Sequence, residues 1–161
     1  MTTLRFHPDG GILATAQKNG VIKLWDISTQ QEFSKLQDPS RGEVYGVSSI
    51  SFSENGYYLA ACGEEDNQVR VWDIRKDTVV KKIQLPEESY VSKVHFDKSG
   101  SYLSLSGHGI YVYNVKSEQI HDQSKFDNHK NICTAVLFEE SSDKYFVSAS
   151  MDGDVMLHSL Y

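Results

Sequence analysis

The sequence repeats itself, and that repetition limits what it can fold into. Four segments align: LRFHPDGGILATAQKNGVIKLWDI from Leu4, VSSISFSENGYYLAACGEEDNQVRVWDI from Val47, VSKVHFDKSGSYLSLSGHGIYVYNV from Val91 and CTAVLFEESSDKYFVSASMDGDVMLHSL from Cys133. Phe6, Phe52, Phe96 and Phe138 stand 46, 44 and 42 residues apart. Trp25, Trp72, Tyr113 and His158 stand 47, 41 and 45 apart. A repeat of this length marks one supersecondary unit that cannot bury its apolar face alone and must stack on its neighbours.

Inside each unit the pattern is that of strands. Each Phe is followed by a polar turn: HPDG, SENG, DKSG or EESSD. Gly10, Gly56 and Gly100 close the first three, where a tight turn asks for positive φ. Short alternating runs rich in Val, Ile, Tyr and Phe follow, with Val21, Lys23 and Trp25 on one face and Ile22, Leu24 and Asp26 on the other. No window carries a 3.6-residue period over ten residues, so essentially no helix is expected. The strands are expected at 3–6, 12–17, 20–25 and 31–36, then 47–52, 58–62, 68–73 and 78–84. They continue at 91–96, 102–106, 109–113 and 118–122, then 133–138, 145–149 and 154–159. The fourth unit has no fourth strand.

A four-stranded unit of about 40–45 residues ending in Trp-Asp is the mark of a WD-repeat propeller blade. Trp25-Asp26 and Trp72-Asp73 carry it, and Tyr113-Asn114 and His158-Ser159 are eroded forms. The expected fold is therefore all-β: a partial WD-repeat β-propeller over residues 1–161, with blades at about 1–40, 41–86, 87–125 and 126–161. The last blade lacks its outer strand.

The resemblance extends to one family. FHPDG (6–10), IKLWDI (22–27), ISFSENGYYLAA (50–61), VRVWDIRK (69–76), FDKSGSYLSL (96–105), IYVY (110–113) and MDGDVMLHSLY (151–161) resemble the C-terminal part of the WD-repeat domain of the pre-mRNA-processing factor 19 family. These are the spliceosomal U-box ubiquitin ligases of the Nineteen Complex. The resemblance implies a ring of seven blades, which at about 43 residues each needs roughly 300 residues. The chain then reads as an arc of about four blades with a raw apolar face at each end. Such an arc is expected to be marginal alone, to self-associate, or to be covered by the rest of the propeller.

The resemblance also implies function. It implies a protein-interaction scaffold in pre-mRNA splicing and, by extension, in ubiquitination and DNA repair. Its partners would be proteins of the spliceosome or Nineteen Complex, and its place the nucleus. No enzyme activity is expected on these residues, because the U-box and coiled coil of the family are absent from them. The alternative is a WD-repeat adaptor or substrate receptor of a different complex.

Charge and composition agree with a protein partner. Sixteen Lys and Arg stand against 22 Asp and Glu, a formal net charge of −6, the wrong sign for a sequence-independent grip on nucleic acid. No apolar run approaches the roughly 18 residues of a membrane span. Cys62 and Cys133 lie in apolar runs and read as reduced, buried thiols.

Candidate site residues fall into two groups. Trp25, Asp26, Trp72, Asp73, Tyr113, His129, Ser148, Asp152 and His158 are read as structural blade positions. The resemblance implies that a turn Asp, a loop His and a strand Ser or Thr form a polar network leading to the Trp. Unit four keeps most of it, unit one keeps Thr15 and Trp25, and unit three is expected to lack it. Ser148 has no elbow motif and His129 is a hydrogen-bond partner rather than a base. No catalytic, cofactor or metal constellation emerges. The second group is a candidate partner-contact surface: Arg75, Lys76, Lys81 and Lys82 as a basic stretch, and Glu64 and Glu65 in an acidic loop with Asp66. RNA is the weaker partner for the basic stretch, since no aromatic platform is interleaved with it.

Overall fold

Alternating side chains build fifteen short strands in four antiparallel sheets among the described residues. The computed structural model describes residues 1–39, 46–63, 67–87, 89, 91–121, 126, 129–139 and 144–160. Blade one holds β1 (Thr3–Phe6), β2 (Ile12–Ala16), β3 (Ile22–Asp26) and β4 (Gln31–Leu36). Blade two holds β5 (Val47–Phe52), β6 (Tyr58–Gly63), β7 (Gln68–Asp73) and β8 (Thr78–Gln84). Blade three holds β9 (Val91–Phe96), β10 (Tyr102–Gly107), β11 (Ile110–Asn114) and β12 (Gln119–Ile120). Blade four holds β13 (Cys133–Phe138), β14 (Tyr145–Ser150) and β15 (Val155–Ser159). The strands within each sheet follow in chain order, the pattern of a propeller blade. Helix is absent among the described residues, so the molecule is an all-β partial propeller. No helix there is long and apolar enough to cross a membrane.

The fourth strand of blade three is shorter than the alternation suggests. It keeps only Gln119–Ile120, and the expected end at 122 lies outside the described residues.

The core lies between blades rather than within them. Ala14, Ala16, Ile22 and Leu24 of blade one meet Ile50, Leu59 and Trp72 of blade two. Ala60, Cys62 and Val69 of blade two meet Val94, Leu103 and Tyr113 of blade three. Ile110 and Val112 of blade three meet Val136, Phe138 and Phe146 of blade four. Each sheet is thus apolar on both faces, and stacking hides them. Both cysteines are buried, and burial pushes the Cys133 thiol up.

Polar contacts lock neighbouring blades in register. The Thr2 hydroxyl donates to the Val47 carbonyl at 2.6 Å, and the Ser48 hydroxyl to the Ser92 carbonyl at 3.0 Å. His7, in the turn after β1, places Nε2 2.9 Å from the Gly56 carbonyl oxygen of blade two. Its ring also meets Phe52 edge-on at 5.1 Å. Asp38, past the end of β4, receives Arg70 Nε at 2.8 Å and Lys82 Nζ at 2.9 Å from blade two. Asp38 and Arg70 are both buried, so this ion pair is shielded from salt and water.

Candidate functional site

The Asp of the Trp-Asp pair works as a turn former. Asp26 Oδ1 accepts the Thr29 N–H at 2.9 Å and the Ser28 hydroxyl at 2.6 Å. Asp73 Oδ1 accepts the Arg75 N–H at 3.0 Å. Asn114 Oδ1 accepts the N–H groups of Lys116 and Ser117 at 2.9 and 3.0 Å. A side chain that takes these N–H groups stabilises the turn leading to the outer strand. Four residues on, Gln30, Asp77 and Glu118 all adopt positive φ, at 58°, 54° and 57°. From there Asp77 reaches back to accept the Ser34 hydroxyl of blade one at 2.7 Å, and Glu118 pairs with Lys81 of blade two.

The blade interiors differ in how they satisfy the position of the Trp. In blade one the Trp25 indole N–H donates to Thr15 Oγ1 at 2.9 Å. Lys23 Nζ lies 5.6 Å from the Trp25 ring centroid and pairs with Glu32 at 2.7 Å. In blade four His158 replaces the Trp. Its Nε2 lies 2.7 Å from Ser148 Oγ, which lies 2.7 Å from His129 Nε2, and His129 Nδ1 lies 3.2 Å from Asp152 Oδ2. One tautomer set satisfies all of them: His158 N–H donates to Ser148, Ser148 O–H to His129, and His129 N–H to Asp152. The Asp154 N–H, with the Lys130 N–H and His129 adding to it against desolvation, holds the Asp152 carboxyl down at about 2. The His158 ring stacks on Phe146 at 4.7 Å between centroids.

This serine, histidine and aspartate in sequence of contact resemble a hydrolytic triad, but Ser148 is fully buried. A nucleophile must meet a substrate, whereas this hydroxyl is enclosed between His129 and His158 inside the blade.

Blade two lacks the hydroxyl. Leu13 faces Trp25 and Thr15 lies two residues on; Leu59 faces Trp72, and two residues on stands Ala61. The Trp72 Nε1 is buried without a hydrogen-bond partner among the described residues. Blade three goes further, with Leu105 at that place and Tyr113 in the interblade core, its hydroxyl pKa raised by burial. Ala61→Ser is expected to give Trp72 its acceptor and raise stability by about 1 kcal/mol, or roughly 3 °C in thermal melting. An unchanged or lowered melting temperature would show that the indole is not the limiting group.

His158 also makes blade four sensitive to acid. Burial, then the neighbouring His129, pulls its pKa below the ordinary 6.5. Burial, then Arg5, does the same to His95. The unfolded chain therefore takes up these protons first. Their stabilising share is complete above about pH 6.5 and drains as pH falls through the lowered folded values. The melting temperature is expected to fall between about pH 7.5 and 5.5. His158→Trp, which can donate to Ser148 as Trp25 does to Thr15, is expected to flatten that slope, leaving the His95 share. An identical slope in the variant would remove His158 from the account.

The basic stretch is divided by strand alternation. Lys81 turns toward blade three and pairs with Glu118, while Lys82 turns toward blade one and pairs with Asp38. Arg75 holds Asp73 in a two-pronged pair, at 2.9 and 2.7 Å, and lies 4.2 Å over the ring of Tyr57. Chiefly through that side-chain bond, the Asp73 carboxyl is held down at about 2. Arg75, Lys76 and Lys81 line a cleft between blades two and three, together with Val80, Val115 and Glu118. Val80, Val115 and Tyr57 are exposed apolar surface around it. Glu64, Glu65 and Asp66 lie outside the described residues. No cluster able to hold a metal occurs among the described residues.

Comparison with known proteins adds lineage to this geometry. Residues 1–153 match the family described as nucleolar protein 10-like, N-terminal domain, a β-propeller family. Pre-mRNA-processing factor 19 homolog 2 of Arabidopsis thaliana is 42% identical over 116 residues, which is 72% of this chain and 20% of that protein. Pre-mRNA-processing factor 19 of Dictyostelium discoideum is 30% identical over 161 residues, 96% of this chain and 30% of that protein. The Homo sapiens protein of the same name is 35% identical over 162 residues, 99% of this chain and 30% of the relative. The chain thus spans 20% to 30% of the length of these relatives.

Proposed function

From a chain that belongs to the nucleolar protein 10-like N-terminal β-propeller family, we propose a non-catalytic docking scaffold for the pre-mRNA splicing machinery. The observation that carries this reading is the similarity to proteins named pre-mRNA-processing factor 19 over nearly the whole chain. In this reading the residues correspond to the C-terminal blades of the WD-repeat domain. Their task is to hold a ubiquitin-ligase complex against its spliceosomal partner proteins in the nucleus. Ubiquitination and DNA repair enter through the same complexes.

The surface supports a protein partner better than RNA. Arg75, Lys81 and Lys82 already serve carboxylates, so a phosphate would have to displace Asp73, Glu118 or Asp38. The cleft between blades two and three offers exposed Val80 and Val115 beside a charged rim, the usual anatomy of a protein contact. The rigid sheets hold that rim in place, and no bond is made or broken on this chain.

The family match favours one rival reading, an adaptor in a different, nucleolar assembly. One experiment separates the two. Tagged chain is added to a splicing-competent nuclear extract, recovered, and probed for spliceosomal small nuclear ribonucleoproteins and for nucleolar particles. Recovery of spliceosomal particles, lost on Val80→Glu with Val115→Glu, is the expected result. Recovery of nucleolar particles alone supports the rival, and recovery of neither overturns both.

A further inference from the structure

Blade two departs from its neighbours in the turn that leads to its outer strand. After Asp26 come Ser28, Thr29 and Gln31, and after Asn114 come Lys116, Ser117 and Gln119. The same places after Asp73 hold Arg75, Lys76 and Thr78. Gln31 and Gln119 open β4 and β12 opposite Asp26 and Asn114, whereas a hydroxyl, Thr78, opens β8 opposite Asp73. Of the four arginines, only Arg75 is followed three residues on by a serine or threonine.

That hydroxyl is open to solvent and surrounded by cations. Arg75, Lys76, Asp77 and Thr78 are all exposed. Because β8 is the outer strand of its sheet, drawing its first residue into an extended substrate groove frays one strand pair. Cross-strand partners share a face, with Cβ atoms about 5 Å apart. Thr78 and Asp73 are such partners, so the guanidinium that grips Asp73 at 2.9 and 2.7 Å lies on the face that Thr78 occupies. Lys81 and Lys82 are paired with Glu118 and Asp38, whereas Lys76 has no ion pair among the described residues.

We propose that Thr78 is a phosphorylation site for a kinase that selects basic residues two and three places before its acceptor, and that Arg75 and Lys76 receive the phosphate. The two cations act first as the recognition signal and then as counter-ions. The donor is magnesium-ATP. The Thr78 oxygen attacks the γ-phosphorus, the new O–P bond forms and the bond to the ADP oxygen breaks. The hydroxyl proton passes to the carboxylate base of the kinase. The product carries a charge of about −1.5 to −2 and three acceptor oxygens, against the single charge of Asp73 across the strand pair. Both compete for one guanidinium, and the phosphate, with the greater charge and the help of Lys76, draws Arg75 away from Asp73. Arg75 and Lys76 line the cleft between blades two and three, so the modification changes the charge of that rim.

The test treats the 161-residue chain with magnesium-ATP and the catalytic subunit of cyclic AMP-dependent protein kinase, which selects basic residues at those two places. The expected product gains one phosphate, about 80 Da, mapped to Thr78 by tandem mass spectrometry. Thr78→Val, close in shape and at an exposed site, is expected to take up none. Arg75→Ala, with unchanged circular dichroism, is expected to slow uptake at least about tenfold, the worth of one charge-assisted bond. In the phosphorylated chain the Asp73 carboxyl, followed by carbon NMR, is expected to titrate clearly above its present value of about 2. A chain that takes no phosphate, or takes it elsewhere, as at Ser101 behind Lys98, overturns the site. Equal rates for the parent and Arg75→Ala overturn the recognition role. Phosphate on Thr78 with the Asp73 titration unmoved overturns Arg75 as its receiver. None of these readouts involves a splicing partner, so this inference and the docking function fail independently.

Discussion

Gly56→Ala is expected to cost about 2–3 kcal/mol, whereas Gly10→Ala and Gly100→Ala cost about 1. All three glycines hold positive φ, at 74°, 76° and 68°, where an added Cβ strains the backbone. At Gly10 and Gly100 that Cβ would meet nothing within 4 Å. At Gly56 it would lie 2.2 Å from His7 Nε2 and 2.3 Å from His7 Cε1. The imidazole must swing out, giving up the Gly56 carbonyl and the edge of Phe52, which together join blade one to blade two. For a domain of this size the loss appears as roughly 6–10 °C in thermal melting. His7→Ala combined with Gly56→Ala is expected to fall short of additivity by about 1 kcal/mol, because the clash disappears with the ring. Full additivity in urea unfolding would show that the two residues do not press on each other.

Ser148→Ala is expected to cost about 3 kcal/mol, and Ser148→Thr no more than about 1. The serine hydroxyl is fully buried and serves two imidazoles at 2.7 Å each. Without it, His158 keeps a buried N–H and His129 a buried nitrogen, and neither has water to turn to. Threonine retains the oxygen, and Thr15 already shows that a threonine hydroxyl serves this place in blade one. Urea midpoints of the two variants at neutral pH give the comparison. Equal losses in both would mean that the methyl group, not the hydrogen bond, decides.

The two predictions concern different kinds of contact, and they differ in how far the sequence reveals them. The blade-four chain joins residues at fixed offsets in the repeat, so a reader who finds the repeat can name its members. The direction of each bond, and the burial that denies Ser148 a substrate, come from the packed sheet. His7 reads in sequence as a turn residue before Pro8. Its contact with Gly56 joins positions 49 apart, and nothing local announces it. The same holds for Asp38, which gathers Arg70 and Lys82 across a blade boundary.

The sequence by itself determined the strands, their grouping into four sheets and the family of the fold. Those depend on two-residue alternation, turn chemistry and a repeat of about 45 residues, all of which are local or periodic. The tertiary structure alone decided what each side chain meets. It sent Lys81 and Lys82, adjacent in sequence, to opposite neighbours, and it left the Trp72 indole N–H buried with no hydrogen-bond partner among the described residues. It also distinguished Phe6 from Phe52, Phe96 and Phe138, four residues with one sequence role and two environments. The physical reason is that a blade's identity is written along its own strands, while its burial depends on whether another blade lies against it.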